Sequence, residues 1–286
     1  MSFEFLGNLS GTQLRNDSTG TYHWGEERFT SVSSILDVIS KPELPKWYAK
    51  VEYQRLNDLA MQLKSGKMRA PDFWKAISFP DKFVPAASEY RDYRAQIGTY
   101  VHDELVRLVL ATHNNEPYEC SCQVEEVQQI VEQYKVWQGY NCIDDIKVKY
   151  LTVEAPVFHR GFGYAGTLDA IVEIDGKNYV LDYKTSSRIR DSHKWQLSAY
   201  FNAEVLGIPY NMREYPMLDF NLAGGLILHL TKDKVTEHWV PIEQVRQPDG
   251  TVPFQRGDTI DVMVDRHGPQ PEGFALLSYT RASRLR

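Results

Sequence analysis

Three cysteines among 286 residues, Cys120, Cys122 and Cys142, leave little for sulfur chemistry to do. They are too few and wrongly spaced for a disulfide framework or a four-thiolate cluster, so small thiols in a reducing cytoplasm are the expectation. Long apolar runs are missing too. None approaches the roughly 18 residues a membrane span needs, which excludes a membrane partner at the level of sequence. The first residues, Met1 to Asn8, lack the basic start and apolar core of a signal peptide. There is no excess of positive charge either: 32 basic residues face 38 acidic ones, a net charge of −6. Nothing global then draws the chain to nucleic acid, and any polyanion must be bound by local clusters. Internal repeats and low-complexity tracts are absent. A hydrophobic fraction of 42% is ordinary for a globular protein and enough to build the core of one large domain, or of a domain with an extension.

What the sequence does hold is concentrated between Gly166 and Tyr200. Two alternating, β-branched runs flank Asp175-Gly176, the strongest short-range signal for a tight hairpin. Thr167–Ile174 and Lys177–Lys184 are therefore expected as neighbouring antiparallel strands. Alternation puts Asp182 and Lys184 on one face of the second strand, and Thr167, Asp169 and Ile171 on one face of the first. If those faces coincide, two carboxylates and an ammonium converge. Carboxylates so placed repel unless a cation stands between them. A hard divalent ion such as Mg²⁺ suits the position, taking oxygen from carboxylates, water and phosphate. For Asp-x-Lys by itself, a surface hairpin with solvated charges is the competing reading. Thr185, Ser186, Ser187, Arg188, Arg190, His193 and Lys194 follow as a donor-rich loop suited to phosphates. Asp191 or Ser192 is expected to cap a helix running through Trp195 to Leu206, with Gln196 and Tyr200 one turn apart on one face.

Upstream, residues 1–30 read as an irregular arm or small hairpin, and Ser31 as the cap of a short helix carrying Ile35, Leu36 and Ile39. Between Lys41 and Lys75, eight basic residues outnumber four acids and are interleaved with Trp47, Tyr48, Tyr53, Phe73 and Trp74. Cations beside flat rings suit single-stranded nucleic acid, and Lys46 and Trp47 are candidate contacts. The competing reading is an amphipathic helix with its aromatics in a core. A proline-punctuated loop from Pro71 to Pro85 leads to a helix over 88–112, with Ile97, Val101, Leu105, Leu108 and Val109 as its apolar stripe. His102 lies beside that stripe, where a histidine is most often a hydrogen-bonded core residue. An acidic stretch follows, with a helix expected over 123–138 and Val124, Val127, Ile130, Val131 and Tyr134 on its inner side. Lys149 opens the next strand, which carries Glu154; a glutamate near a proline and a strand end reads as solvated. Leu226–Leu230 and Val235–Pro241 read as a further hairpin, with His229 structural. The tail from Pro248 holds a possible short helix at 259–266.

Taken as an ordered series, His102, Glu154, Gly166-Thr-Leu-Asp169, Asp182-Tyr-Lys184 and Gln196-x-x-x-Tyr200 resemble the PD-(D/E)XK nuclease superfamily. Within it they resemble the RecB-like exonuclease branch, which includes phage exonucleases, CRISPR-associated RecB-like exonucleases and the mitochondrial genome maintenance exonuclease. The match covers roughly residues 98–230, and Ser31–Trp47 resembles the N-terminal segment of phage members. The resemblance implies an α/β fold: a restriction-endonuclease-like core over 88–245 with a central mixed sheet flanked by helices. An N-terminal arm and DNA-contacting helical region over 1–87 would form one wall of a DNA channel, and 246–286 would be a C-terminal extension. It further implies Asp169, Asp182, the Tyr183 carbonyl and His102 as metal ligands, and Lys184 as the residue that orients or activates water. Gln196 and Tyr200 would stand beside the site and Glu154 near the metals. One or two Mg²⁺ or Mn²⁺ ions would be the cofactor. Several relatives carry an iron–sulfur cluster on four cysteines, which this chain lacks, so no cluster is expected. The implied function is a metal-dependent DNA exonuclease acting on single strands or duplex ends in replication, repair or recombination. It would work in the cytoplasm of a bacterium or phage-infected host, with a recombination or replication protein as a possible partner. The alternative is a nucleic-acid-binding accessory protein on a nuclease scaffold, which predicts erosion of the acidic pair or the lysine; all three are present.

Overall fold

The computed structural model describes residues 5–9, 15–16, 20–39, 43–78, 86–139 and 148–242. The expected extension over 246–286, including a helix at 259–266, lies outside the described residues, as does Cys142. The chain divides into two compact units, one of residues 1–38 with 100–286 and one of residues 39–99. The segment 1–87 is thus shared, its first 38 residues going with the larger unit.

Among the described residues, the larger unit is built on one ten-stranded mixed sheet. Its N-terminal strands are β1 Arg15–Asn16, β2 Thr21–Trp24 and β3 Glu27–Ser31, the last two forming the small hairpin expected of the arm. Ser31 caps α1 Val32–Leu36 as its sequence predicts, accepting a hydrogen bond from the Ser34 N–H at 3.0 Å. The centre of the sheet is β4 Lys149–His159, β5 Tyr164–Ile174 and β6 Lys177–Lys184. All three are successive antiparallel neighbours. Asp175 and Gly176 make the turn between β5 and β6 at φ 50° and 71°. Both angles are positive, as the primed hairpin turn requires, and Asp-Gly supplies them with little strain.

After β6 the chain turns into α6 Asp191–Phe201 and returns as short β7 Val205–Ile208 and β8 Arg213–Pro216, then as β9 Leu222–Leu230 and β10 Val235–Val240. β9 lies parallel to β6, and β10 closes that end antiparallel to β9. Before the central strands come α4 Ala86–His113 and α5 Glu125–Gln138. The stripe anticipated on α4 is buried at every position: Ile97, Val101, Leu105, Leu108 and Val109. On α5, Val127, Ile130, Val131 and Tyr134 are buried, while Val124 is only its N-cap. The boundary between the two units falls within α4.

Three expectations for local structure fail. Pro71 does not open a loop; it sits in the first turn of helix α3 Ala70–Ile77, where its missing N–H has no partner to lose. The helix begun at Asp191 stops at Phe201 instead of reaching Leu206, and the residues beyond become β7 because β4 offers them an edge to pair with. Neither Asp191 nor Ser192 is its cap: Arg190 holds that position, and its N–H is accepted by Nδ1 of His193 at 3.3 Å.

In the smaller unit, α2 Glu43–Lys64 and α3 pack on each other, and α2 buries none of its described residues completely. The aromatics of this segment do not form a core as the amphipathic reading requires. Tyr53 is 67% and Trp74 63% exposed, while Trp47 is half-buried against Tyr48 and Tyr90.

One edge of β5 is shared by two strands, and this shapes the site. Parallel β3 pairs with Tyr164 and Ala165, antiparallel β6 pairs with Ala170 to Ile174, and Gly166 to Asp169 span the gap between them. α6 covers this region. A Cβ on Gly166 would stand 2.4 Å from a ring carbon of the buried Tyr200, so only glycine admits the tyrosine there. Replacing Gly166 by Ala should lower unfolding stability by about 1–3 kcal/mol, the usual cost of overpacking. Urea denaturation tests this, and an unchanged midpoint would mean that the Tyr200 ring gives way freely.

Candidate metal centre

Each side chain of the site is delivered by a different constraint. On β5 and β6 the ladder ends at Ala170–Leu181, and its next step would set Asp169 across from Asp182, as the alternation of the two strands implies. There the main chain has no further partner from β5. Instead the Tyr183 N–H donates to Asp169 Oδ2 at 2.6 Å, so a side chain finishes what the ladder leaves undone. The other oxygen, Oδ1, lies 3.5 Å from Nδ1 of His102, and Nε2 of His102 lies 3.2 Å from the Tyr183 carbonyl. His102 is thus brought from α4 to the strand end, and its side chain is 28% exposed.

Glu154 arrives from β4, where Val153 pairs with Ala170 and Ala155 with Leu168. It sits in the middle of that strand and is half-buried, contrary to the solvated strand-end position its proline neighbour suggested. Its backbone is in the left-handed region, φ 49°, which a non-glycine residue occupies inside a strand only under constraint. Ligand atoms of His102, Glu154 and Asp169 all lie within 4.8 Å of one another. An imidazole and two carboxylates at that spacing fit a divalent cation with mixed nitrogen and oxygen preference, such as Mn²⁺, and also one of oxygen preference, such as Mg²⁺.

Asp182 stands beside this group and is buried. Lys184 Nζ lies 2.7 Å from its Oδ1 and 2.6 Å from its Oδ2, with only the first contact directed as a hydrogen bond. The two side chains share a face of β6, as the alternation predicts, and each offsets the other's charge in a place with little water. Gln196 Nε2 donates to the Tyr200 hydroxyl at 2.9 Å, joining the two expected helix residues one turn apart. Thr167, which borders Asp169, is met at 3.1 Å by the hydroxyl of Tyr22 from the N-terminal hairpin. No pattern in the sequence marks Tyr22; only the pairing of β3 with β5 brings its hairpin to this place.

Of the other candidates, Thr185, Ser186, Arg188 and Arg190 occupy the loop after β6, and Lys194 the first turn of α6. Arg188 and Arg190 are exposed, while Lys194 lies 3.6 Å from Asp191. His229 is half-buried with Nε2 2.6 Å from the Ser186 carbonyl, which fits a structural role in holding that loop. Lys46 and Trp47 belong to α2 in the smaller unit.

The electrostatics show a surplus of negative charge at the centre. Burial opposes a charge on His102, but the Asp169 carboxylate outweighs it and raises the imidazole to about 9. For Glu154, burial and the charge of Asp169 act together and push the carboxyl up to about 7. Asp169 is held below the ordinary carboxylate range because the His102 and Lys184 cations overcome its burial. Asp182 is pushed above that range, burial outweighing the attraction of Lys184. No family model and no curated protein matches the chain.

Two outcomes follow from these shifts. Metal ligands must shed their protons, and His102 keeps its proton up to about 9. Mn²⁺ affinity should then rise by about tenfold per pH unit between pH 7 and 9, with about one proton released, and fall more steeply below pH 7 as Glu154 protonates. Calorimetric titration in buffers of different ionisation enthalpy reads both quantities, and an affinity flat across that range would contradict the assignment of His102. The second concerns stability without metal. A carboxyl raised from 4.5 to about 7 contributes stability below its unfolded pKa and loses it as pH rises through the folded one. Glu154→Gln should therefore stabilise the protein in EDTA at pH 8 by roughly 1–3 kcal/mol, and by much less at pH 5.5. Denaturant midpoints at the two pH values measure the difference.

Proposed function

We propose that this chain is a divalent-metal-dependent deoxyribonuclease of the PD-(D/E)XK type, with a restriction-endonuclease-like core. It cleaves phosphodiester bonds as an exonuclease on single-stranded DNA or duplex ends. The observation that carries the reading is the cluster of His102, Glu154 and Asp169 ligand atoms within 4.8 Å of one another, beside a buried Asp182–Lys184 pair. The order of elements supports it: two helices, three successive antiparallel strands, a helix and, after the short β7 and β8, a strand parallel to the third. A buried cation next to a metal-ligand cluster fits an anionic substrate that gains charge as it reacts. Neither feature is expected of an accessory protein that only binds nucleic acid.

In this reading His102, Glu154 and Asp169 hold the cation, with Asp182 and the Tyr183 carbonyl at its side. A bound Mg²⁺ or Mn²⁺ supplies a water of lowered pKa and stabilises charge on the phosphoryl oxygens. Lys184, kept in place by both oxygens of Asp182, offers a fixed ammonium where negative charge grows on the scissile phosphate. The Gln196–Tyr200 pair limits how far the polar groups of α6 can move beside it. Thr185, Ser186, Arg188, Arg190 and Lys194 bind the phosphates next to the cleaved bond. The exposed aromatics and lysines of α2 and α3, Lys46, Tyr53 and Trp74 among them, suit stacking and phosphate contacts with an unpaired strand. Replication, repair or recombination is the setting such an activity serves.

End-labelled single- and double-stranded DNA, incubated with Mg²⁺, Mn²⁺ or EDTA, tests the proposal. Wild type should cut in either metal and not in EDTA. Asp169→Asn should fall to background, and Lys184→Ala should lose on the order of 10²- to 10³-fold in rate, as when a fixed transition-state charge is removed. Metal-dependent cleavage that survives in Asp169→Asn at the wild-type rate would overturn the assignment.

A further inference from the structure

Directly behind the metal cluster lies a group of side chains that the proposed chemistry does not use. Tyr134 of α5, Tyr150 of β4 and Tyr183 of β6 bring their hydroxyls together in the core, and all three residues are buried. The hydroxyls of Tyr134 and Tyr150 are in contact, and each lies 3.0 Å from that of Tyr183. Three hydroxyls carry three protons and have acceptor capacity to match, so a closed ring can satisfy every donor without charge or water. Burial holds the phenols of Tyr150 and Tyr183 neutral. Simple core packing would be served as well by phenylalanine. Hydroxyls add direction, and they fix where each ring can sit.

The ring that matters to the site is that of Tyr183. Its own N–H holds Asp169 Oδ2 and its own carbonyl faces His102 Nε2, at 2.6 and 3.2 Å. Its ring also meets the His102 imidazole in a T-shaped contact, with centroids 5.6 Å apart and planes at 88°. Beyond Leu181, β6 keeps β9 on one side but has lost the β5 ladder on the other. On that open side the segment carrying Asp182 and Lys184 is fixed by Asp169 and by the anchored tyrosine. We propose that Tyr183 is a positioning residue for the bound divalent cation, held in register by a closed hydroxyl ring with Tyr134 and Tyr150. This inference rests on the metal-centre reading above and adds α5, through Tyr134, to the parts of the chain that set metal affinity.

The test uses the full chain and two variants, Tyr183→Phe and Tyr134→Phe, the second of which leaves every group of the metal cluster untouched. Mn²⁺ affinity is measured by calorimetry under conditions where each protein is folded. Amide exchange of Tyr183 and Leu181 is then compared in EDTA. Both variants should bind Mn²⁺ about tenfold more weakly, the lower end of what loss of an outer-layer partner costs a metal site. The Tyr183 amide should exchange faster relative to Leu181, since the first is held by the positioned carboxylate and the second by the strand ladder. A general loss of stability would speed both amides together. Wild-type affinity in folded variants, or parallel changes in the two amides, overturns the positioning role and leaves the metal centre standing. Failure of the wild-type chain to bind Mn²⁺ would remove the metal centre and this inference with it.

Discussion

A carboxylate at the end of a β-ladder governs the rest. Asp169 is buried in a place where one strand edge passes from β3 to β6, and it is kept ionised by what surrounds it. One oxygen completes the hydrogen bonding of β6 through the Tyr183 N–H, and the other faces His102. Leaving a charge in such a position without partners would cost several kcal/mol, so the neighbourhood has to supply cations or donors. His102 from one helix and Lys184 from the strand itself do so. The break between β3 and β6 is what gives them access, because an uninterrupted ladder would close the strand edge with main chain alone.

The balance that results is incomplete, and that is where chemistry enters. Three carboxylates, Glu154, Asp169 and Asp182, face two cationic side chains, His102 and Lys184, with Lys184 committed to Asp182. Glu154 carries the consequence: its carboxyl is raised and its backbone is held in a left-handed turn inside a strand. A neutral residue in place of Glu154 would relax the electrostatic cost, and glycine would relax both. Strain and unmet charge at one residue often accompany ligand sites, and the proposed divalent cation would offset that charge.

How far the sequence revealed this differs from residue to residue. The Asp175-Gly176 hairpin and the shared face of Asp182 and Lys184 were legible because turn chemistry and strand alternation are local rules. The α4 stripe was equally legible from its spacing, although spacing alone left His102 as a core histidine. Local pattern read Glu154 as solvated because proline suggested a strand end, whereas β4 runs on between β5 and β7; only the family resemblance set it near His102 and Asp169. The stretch after Phe201 looked like more helix, and became β7 only because β4 had an edge to offer. Tyr134 was legible only as an inner-face residue of its helix, and Tyr150 only as a strand residue; nothing local showed that their hydroxyls meet that of Tyr183, or that Tyr22 reaches Thr167.

The sequence by itself determined the hairpin, the helices α4 and α5 and the identity of the groups able to bind a cation, since these depend on contacts between residues close in the chain. Only the tertiary structure decided that His102 and Glu154 join Asp169, that Asp182 pairs with Lys184 instead of facing the cluster alone, and that three distant tyrosines meet behind it. Those outcomes depend on strand register and on which strand takes the β5 edge. Both are settled by packing over the whole sheet, where the desolvation of each charge must be matched by a partner as far as eighty residues away, as His102 is from Tyr183.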